Sequence, residues 1–217
     1  MLGQGVYGFP EAARLTDLKS VTVRAWFKES ARDRSRRPVF KSDYRPIDGA
    51  RVISFLDLVE LYVVGRLRDH GLSLQKIRRV HAKMADRLDT KHPFGKRRIF
   101  TDGADLFIGN ADGDREELID ILHDQKVFPE ILLPFLKQIE YDDASDLAKC
   151  WRIADMVVLD PSICYGKPIV QQIGISTKIL ANAYRANDRN VYFVAYWYNI
   201  KPIHVMAAVE FEDKYAA

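Results

Sequence analysis

The chain of 217 residues is long enough to bury a sizeable core, as one large or two small domains. Its 47% hydrophobic and 29% charged residues exclude a wholly disordered chain, and no apolar run approaches the ~18–20 residues of a membrane-spanning helix. The net charge of +3 is uneven: residues 1–100 hold 22 Lys and Arg against 11 Asp and Glu (+11), and residues 101–217 hold 11 against 19 (−8).

The first 27 residues predict two short helices joined by a tight turn. Pro10 suits the first turn of one helix, and Ser20 suits the N-cap of the next. The apolar residues of the second helix recur at i, i+3 and i+4 and so share one face: Val23, Trp26 and Phe27. This pattern is typical of a helix-turn-helix. An ordinary helix pair with a solvated basic face is the alternative.

Polar and basic side chains would then face away from this apolar stripe. The candidates on or beside the second helix are Lys19, Ser20, Thr22, Arg24 and Lys28. A basic stretch follows, read as a β-hairpin or exposed loop that could lie along a DNA backbone as a wing; its arginines are Arg32, Arg34, Arg36 and Arg37. The +11 charge of the first half is the expected electrostatic footprint of nucleic-acid binding, and a solvated charge run is the alternative.

Further elements follow in chain order. Ser54, with Asp57 in a capping-box arrangement, predicts a helix that ends at Gly71, and Ser73 predicts the start of another. Asp102-Gly103 predicts a hairpin turn. The remaining patterns predict a helix over 128–139, one or two strands over 150–159, and helices near 176–187, 190–198 and 202–212.

A dense aromatic run occurs in the tail. Tyr192, Phe193, Tyr196, Trp197 and Tyr198 all fall within one predicted helix and its end. Aromatic side chains concentrate at interface hot spots, so we expect Tyr192, Tyr196, Trp197 and Tyr198 to form an interface with a partner protein or with a second copy of the chain. Core packing of a small helical domain is the alternative.

Patterns for enzymatic chemistry are absent from the sequence. It lacks G-x-S-x-G, H-E-x-x-H and the phosphate-binding G-x-x-x-x-G-K-[ST] pattern. The acidic run 110–117 lacks the EF-hand register, and Cys150 and Cys164 form no C-x-x-C pair. We therefore predict a non-enzymatic protein without metal or cofactor, with reduced thiols.

Two stretches carry a resemblance to known families. Thr22-Val-Arg-Ala-Trp26 and the later run 67–78 resemble the winged helix-turn-helix of MerR-type regulators. The resemblance implies that Arg24 and Trp26 contact phosphate or anchor the helix. Asp160-Pro-Ser-Ile-Cys-Tyr-Gly-Lys-Pro168 is similar to the D-P-x-I-x-x-G-K-P signature of a domain common in bacterial and archaeal antitoxins, although Gln172-Ile-Gly174 replaces the usual G-T-R.

Together these features resemble a VapB-type antitoxin. The resemblance implies neutralisation of a VapC-type PIN ribonuclease toxin and autorepression at operator DNA, in a cytoplasmic bacterial homodimer that is nucleoid-associated on its operator. The expected fold is α+β, mainly helical. It comprises a winged helix-turn-helix over 1–90, a connecting hairpin and helix over 91–150, and a trihelical domain over 151–217. The alternatives are a MerR-like regulator with a small-molecule-sensing C-terminal domain, and a nucleic-acid enzyme.

Overall fold

Helices and short antiparallel strands alternate along the chain. The computed structural model describes residues 4–27, 38–97 and 137–215. Within these ranges the elements are β1 (Tyr7–Gly8), α1 (Phe9–Leu15), α2 (Ser20–Phe27), β2 (Val52–Ile53), α3 (Phe55–Asp69), α4 (Leu74–Arg87), β3 (Ile139–Tyr141), β4 (Ala148–Ala154), β5 (Val157–Leu159), β6 (Ile169–Val170), α5 (Thr177–Ala186), α6 (Val191–Trp197) and α7 (Pro202–Tyr215). The expected mixture of α and β structure is confirmed.

Local signals position the N-terminal helices. Pro10 lies in the first turn of α1, as predicted, whereas α2 begins at Ser20 itself, one residue earlier than an N-cap at that position would allow. Ser54 and Asp57 form a reciprocal capping box at the start of α3, and the Ser73 hydroxyl accepts a hydrogen bond from the Lys76 N–H at the start of α4. These caps satisfy backbone donors that have no partner within the helix.

The second part of the chain contains a sheet as well as three helices. Strands β3, β4, β5 and β6 form an antiparallel sheet in sequence order, and α5–α7 follow in place of a purely trihelical unit. Of the helix predicted over 128–139, residues 128–136 lie outside the described range and the end is wrong: Ile139 begins β3 and pairs with Trp151, because a buried strand partner outweighs local helix propensity. The predicted hairpin at Asp102-Gly103 lies outside the described residues.

One buried core joins the two ends of the chain. Besides residues of β1 and α1–α4, it contains Trp151, Val157, Leu159 and Phe211 from the sheet and α7. A second buried cluster lies within β6 and α5–α7. Strand β4 spans the predicted boundary at residue 150, and the domain bounds stay a prediction. Within the described ranges no helix is long and apolar enough to cross a membrane.

The D-P-x-I-x-x-G-K-P segment packs against the start of the chain. The Tyr7 hydroxyl donates a hydrogen bond to the Gly166 carbonyl (2.7 Å), and the Val6 N–H donates to the Tyr165 carbonyl (2.9 Å). Lys167 Nζ donates to the Val6 carbonyl (2.9 Å) and forms an ion pair with Glu11 of α1 (2.5 Å). At least part of this signature therefore serves an intramolecular contact, which we call the Tyr7–Lys167 latch.

Replacing Gly166 with alanine is expected to destabilise the protein by about 2–4 kcal/mol. Gly166 has φ +79°, and a Cβ there would lie 2.3 Å from the Tyr7 hydroxyl oxygen. Urea denaturation would measure the loss. Gly174→Ala is a matched control, since its φ is +66° but a Cβ would meet no atom within 4 Å. Equal losses in the two variants would show that the contact with Tyr7 contributes nothing.

Candidate nucleic-acid and protein interfaces

Helices α1 and α2 are joined by the four-residue turn 16–19. The Thr16 hydroxyl donates to the Ala12 carbonyl (2.7 Å), and the Leu18 N–H donates to the Ala13 carbonyl (2.8 Å), so these two carbonyls in the last turn of α1 are satisfied by the residues that follow it. The Leu18 side chain packs over Gly65 of α3, where a Cβ would approach it to 3.3 Å. These contacts hold α2 at a fixed position relative to α1 and α3.

The outer side of α2 carries part of the predicted DNA-binding set. Lys19 and Arg24 are exposed, whereas Ser20 and Thr22 are half-buried. Trp26 is 5% exposed, so its ring is withdrawn from any DNA and occupies the anchoring position that the resemblance allowed. Sequence reasoning missed Val21, an apolar side chain that is 69% exposed on this helix. The sequence indicates its exposure only by its position outside the apolar face formed by Val23, Trp26 and Phe27.

The predicted wing lies outside the described residues, with Lys28, Arg32, Arg34, Arg36 and Arg37. The described residues on either side of it meet at the end of α2. The N–H groups of Val39 and Phe40 both donate to the Trp26 carbonyl (2.9 and 3.2 Å), and Arg51 Nη1 donates to the Phe27 carbonyl (3.4 Å). Arg51 therefore brings a further cation to this end of α2, which sequence reasoning missed.

A buried polar cluster lies behind this region and connects residue 43, α3, α4 and residues 92–94. His92 Nε2 lies 3.0 Å from the Asp43 carboxylate, and His81 Nε2 lies 2.8 Å from the Glu60 carboxylate. The second Glu60 oxygen accepts the Phe94 N–H (2.9 Å), and the Asp57 carboxylate accepts the N–H groups of Asp43 and Ser54 (3.2 and 3.0 Å). The cluster thus ties four chain segments together.

Burial and pairing shift the ionisation of this cluster. Burial alone would lower the pKa of His92, but the hydrogen bond with Asp43 and the charge of Glu60 raise it to about 10. Burial raises the pKa of Asp57 to about 6, against the hydrogen bond from the Ser54 N–H. The His92 hydrogen bond lowers the pKa of Asp43. The ring of His92 is therefore held as an imidazolium between carboxylates.

Three groups of this cluster could in principle hold a metal ion. Ligand atoms of Asp43, Asp57 and His92 lie within 4.8 Å of one another. A metal requires a neutral imidazole, however, and Asp43 already occupies the Nε2 side of the ring. The arrangement fits an ion-pair network better than a metal site.

Stability is expected to fall by about 3 kcal/mol between about pH 7 and 9.5, because each pH unit between the unfolded and folded pKa values of His92 is worth up to about 1.4 kcal/mol of unfolding free energy. The His92 pKa is raised on folding from about 6.5 to about 10, so its stabilisation is complete below pH 6.5 and lost as the pH rises toward 10. Urea denaturation at several pH values would show the fall. The variant His92→Asn should lose most of this pH dependence. If the stabilities of the wild type and the variant fall in parallel with pH, the effect does not come from His92.

Helix α6 presents its aromatic side chains to solvent. Tyr192, Tyr196 and Trp197 are 74%, 87% and 71% exposed, and Phe193, 41% exposed, stacks on Trp197 with ring centroids 5.6 Å apart. Tyr198, by contrast, is half-buried and packs against the core of α5–α7, and its interface role stays a prediction. We call Tyr192, Phe193, Tyr196 and Trp197 the α6 aromatic face.

The acidic charge of residues 101–217 is not spread evenly over that half of the chain. Residues 101–136, outside the described ranges, hold nine acidic and two basic side chains, a net −7. Residues 137–217 hold ten acidic and nine basic side chains, a net −1. Exposed Arg189 precedes α6 by two residues, next to exposed Asp188, and exposed Lys201 follows it by four. Two cations thus flank α6 along the chain.

Comparisons with known proteins identify a relative in sequence and a related solved structure. No model of a known protein family matches the chain. It is 25% identical over 200 residues, 83% of each chain, to a protein of Mycobacterium tuberculosis (strain ATCC 25618 / H37Rv) named as a candidate antitoxin, VapB45. The crystal structure of Rv2018 from Mycobacterium tuberculosis matches with a TM-score of 0.71 and 24% identity, over 94% of this chain and 96% of that chain. That likeness shows a shared fold.

Proposed function

We propose that this protein is a type II antitoxin that neutralises a VapC-type PIN-domain ribonuclease toxin. The observation that carries the proposal is the similarity to VapB45 along 83% of both chains, in a protein whose α6 exposes four aromatic side chains. Large apolar side chains at 71–87% exposure are costly in water unless a partner covers them. We therefore assign toxin binding to the α6 aromatic face.

The flanking charges match such a partner. A PIN-type ribonuclease holds Mg²⁺ with acidic side chains, as the family resemblance implies, so its active-site surface would attract Arg189 and Lys201. Rim charges of this kind steer association and favour the correct partner more than they add affinity. The aromatic side chains would supply the affinity by burial at the centre of the contact.

Operator binding is assigned to the outer side of α2. Lys19 and Arg24 are exposed there and can reach phosphate oxygens, while Val21 presents an apolar side chain of the kind that contacts thymine methyl groups. The α6 aromatic face and the outer side of α2 lie on helices that pack into two different buried clusters. The same chain could therefore bind a toxin and DNA through different side chains, as a dimer on a two-half-site operator.

The direct test is to express the protein together with the toxin encoded in the neighbouring reading frame. Growth rescue and recovery of a stable complex on purification would support the proposal. A neighbouring frame that encodes no PIN-like protein, or a toxin that remains active and unbound, would contradict it. The alternative regulator without a toxin partner predicts that second result together with intact DNA binding.

Arg24→Ala is expected to reduce the salt dependence of operator binding by about 0.9 in the log–log slope, the value for one lost phosphate contact. Arg24 is exposed on α2 and forms no ion pair with the residues that the structure describes. Fluorescence anisotropy over a salt series, with operator and unrelated duplexes, would measure the slope. Lys178→Ala, an exposed cation on α5, is the control and should leave the slope unchanged. An unchanged slope in Arg24→Ala would remove this side chain from the DNA contact.

A further inference from the structure

A cleft of about 560 Å³ lies where the α1–α2 turn, α3, β4 and the end of α7 meet. Its volume falls within the ~300–1,000 Å³ that is usual for small-molecule sites. Its walls come from residues as distant in sequence as Pro10 and Tyr215, so the cleft exists only in the folded chain. Neither toxin binding nor DNA binding, as proposed above, uses it.

The lining of the cleft is cationic. Arg14, Arg66 and Lys214 line it with a single carboxylate, Asp17, which gives a net formal charge of +2. Arg66 is held in place, since its Nη2 donates to the Thr16 carbonyl (3.1 Å) and its Nη1 lies 3.3 Å from Asp69. Arg14 and Lys214 are exposed and form no ion pair with the described carboxylates. Two cations at the mouth are thus available to an anion.

The inner wall is aromatic. Tyr62, Trp151 and Tyr215 line the cleft, and the rings of Tyr62 and Trp151 lie with centroids 4.5 Å apart. Trp151 is 1% exposed, and its indole Nε1 is buried without a hydrogen-bond partner among the described residues. Trp151 and Tyr62, which is 9% exposed, therefore form the buried base of the cleft, and Tyr215, which is half-buried, is the aromatic side chain that a ligand can reach.

We propose that the cleft binds a small organic anion that carries an aromatic ring, such as an aryl carboxylate or aryl phosphate. The ring packs against Tyr215, the half-buried aromatic side chain of the lining, above the buried Tyr62 and Trp151, and the anionic group is bound by Arg14 and Lys214. Because residues 16–18 of the α1–α2 turn also line the cleft, the bound ligand contacts the segment that positions α2.

The test follows the indole N–H resonances of the full chain by NMR, with 4-hydroxybenzoate and phenyl phosphate as probes. The protein has three tryptophans, so Trp26 and Trp197 serve as internal references, and Trp151→Phe assigns the third signal. We expect a saturable shift of the Trp151 signal alone, with a Kd of about 1 mM or below. Comparing the two probes decides between carboxylate and phosphate. Uncharged 4-hydroxybenzamide should give no shift.

Side-chain replacements separate the cleft from general charge effects. The double variant Arg14→Ala/Lys214→Ala should bind about 100-fold more weakly, since each lost hydrogen bond between charged groups weakens binding by about tenfold. The control Lys178→Ala removes an exposed cation outside the cleft and should bind as the wild type does. The proposal is overturned if neither probe shifts the Trp151 signal, if the benzamide binds equally well, or if only duplex DNA shifts it.

Discussion

Replacing Tyr196 and Trp197 together with alanine is expected to abolish toxin neutralisation while operator binding and thermal stability stay unchanged. Both side chains are mainly in solvent, so the fold loses little when they are removed. Truncation of a hot-spot aromatic side chain to alanine typically costs at least ~2 kcal/mol of binding free energy. The loss of two such side chains should therefore raise the Kd of the complex about 100-fold or more.

Growth rescue in cells that express the toxin, and the Kd of the purified pair, would measure this effect. Tyr196→Phe retains the ring and should retain neutralisation. Tyr165→Ala removes an aromatic side chain that is 61% exposed outside α6, and it should also neutralise the toxin. If the double variant still rescues growth, the toxin contacts another surface, and the α6 aromatic face needs a different explanation.

Glu60→Ala is expected to destabilise the protein by about 3–5 kcal/mol, the range for removing one partner of a buried ion pair. The Glu60 side chain is 2% exposed, accepts hydrogen bonds from His81 and the Phe94 N–H, and lies 3.9 Å from His92. Although burial opposes ionisation, these partners lower the pKa of Glu60, so the group is a carboxylate in the fold. Its removal leaves His92 without one of its balancing charges.

Urea denaturation at neutral pH would measure this loss, with Glu210→Ala as a control at an exposed position of α7. Glu60→Gln keeps an acceptor for the Phe94 N–H and should be less damaging than Glu60→Ala. A loss below about 1 kcal/mol for Glu60→Ala, comparable to an ordinary surface change, would show that the cluster does not stabilise the fold.

Local rules predicted the helices with good accuracy. The capping box at Ser54 and the cap at Ser73 were readable because a helix start depends on hydrogen bonds within four residues. Pro202 correctly indicated the start of α7 for the same reason. The side of α2 that is buried followed from the spacing of Val23, Trp26 and Phe27, since helical periodicity alone decides which residues share a face.

The solvent exposure of side chains was predicted less well from the sequence, because it depends on which elements pack beside each helix. From the sequence, the aromatic residues of α6 could form an interface or part of a core. Only the positions of α5 and α7 place Tyr196 in solvent and Tyr198 against the core. Sequence reasoning missed Glu60, because nothing local pairs it with residues 21 and 34 positions away. The cationic cleft likewise needs four elements to come together.

The sequence by itself determined the approximate positions of most of the described helices, the basic character of the first half and the aromatic content of α6, because these depend on neighbouring residues and on composition. Only the tertiary structure decided what the D-P-x-I-x-x-G-K-P segment contacts. The hydrogen bond from Tyr7 to Gly166 joins residues 159 positions apart, and the Lys167–Glu11 ion pair spans 156. Such contacts carry no local pattern, since they depend on how the intervening elements pack and not on any spacing along the chain.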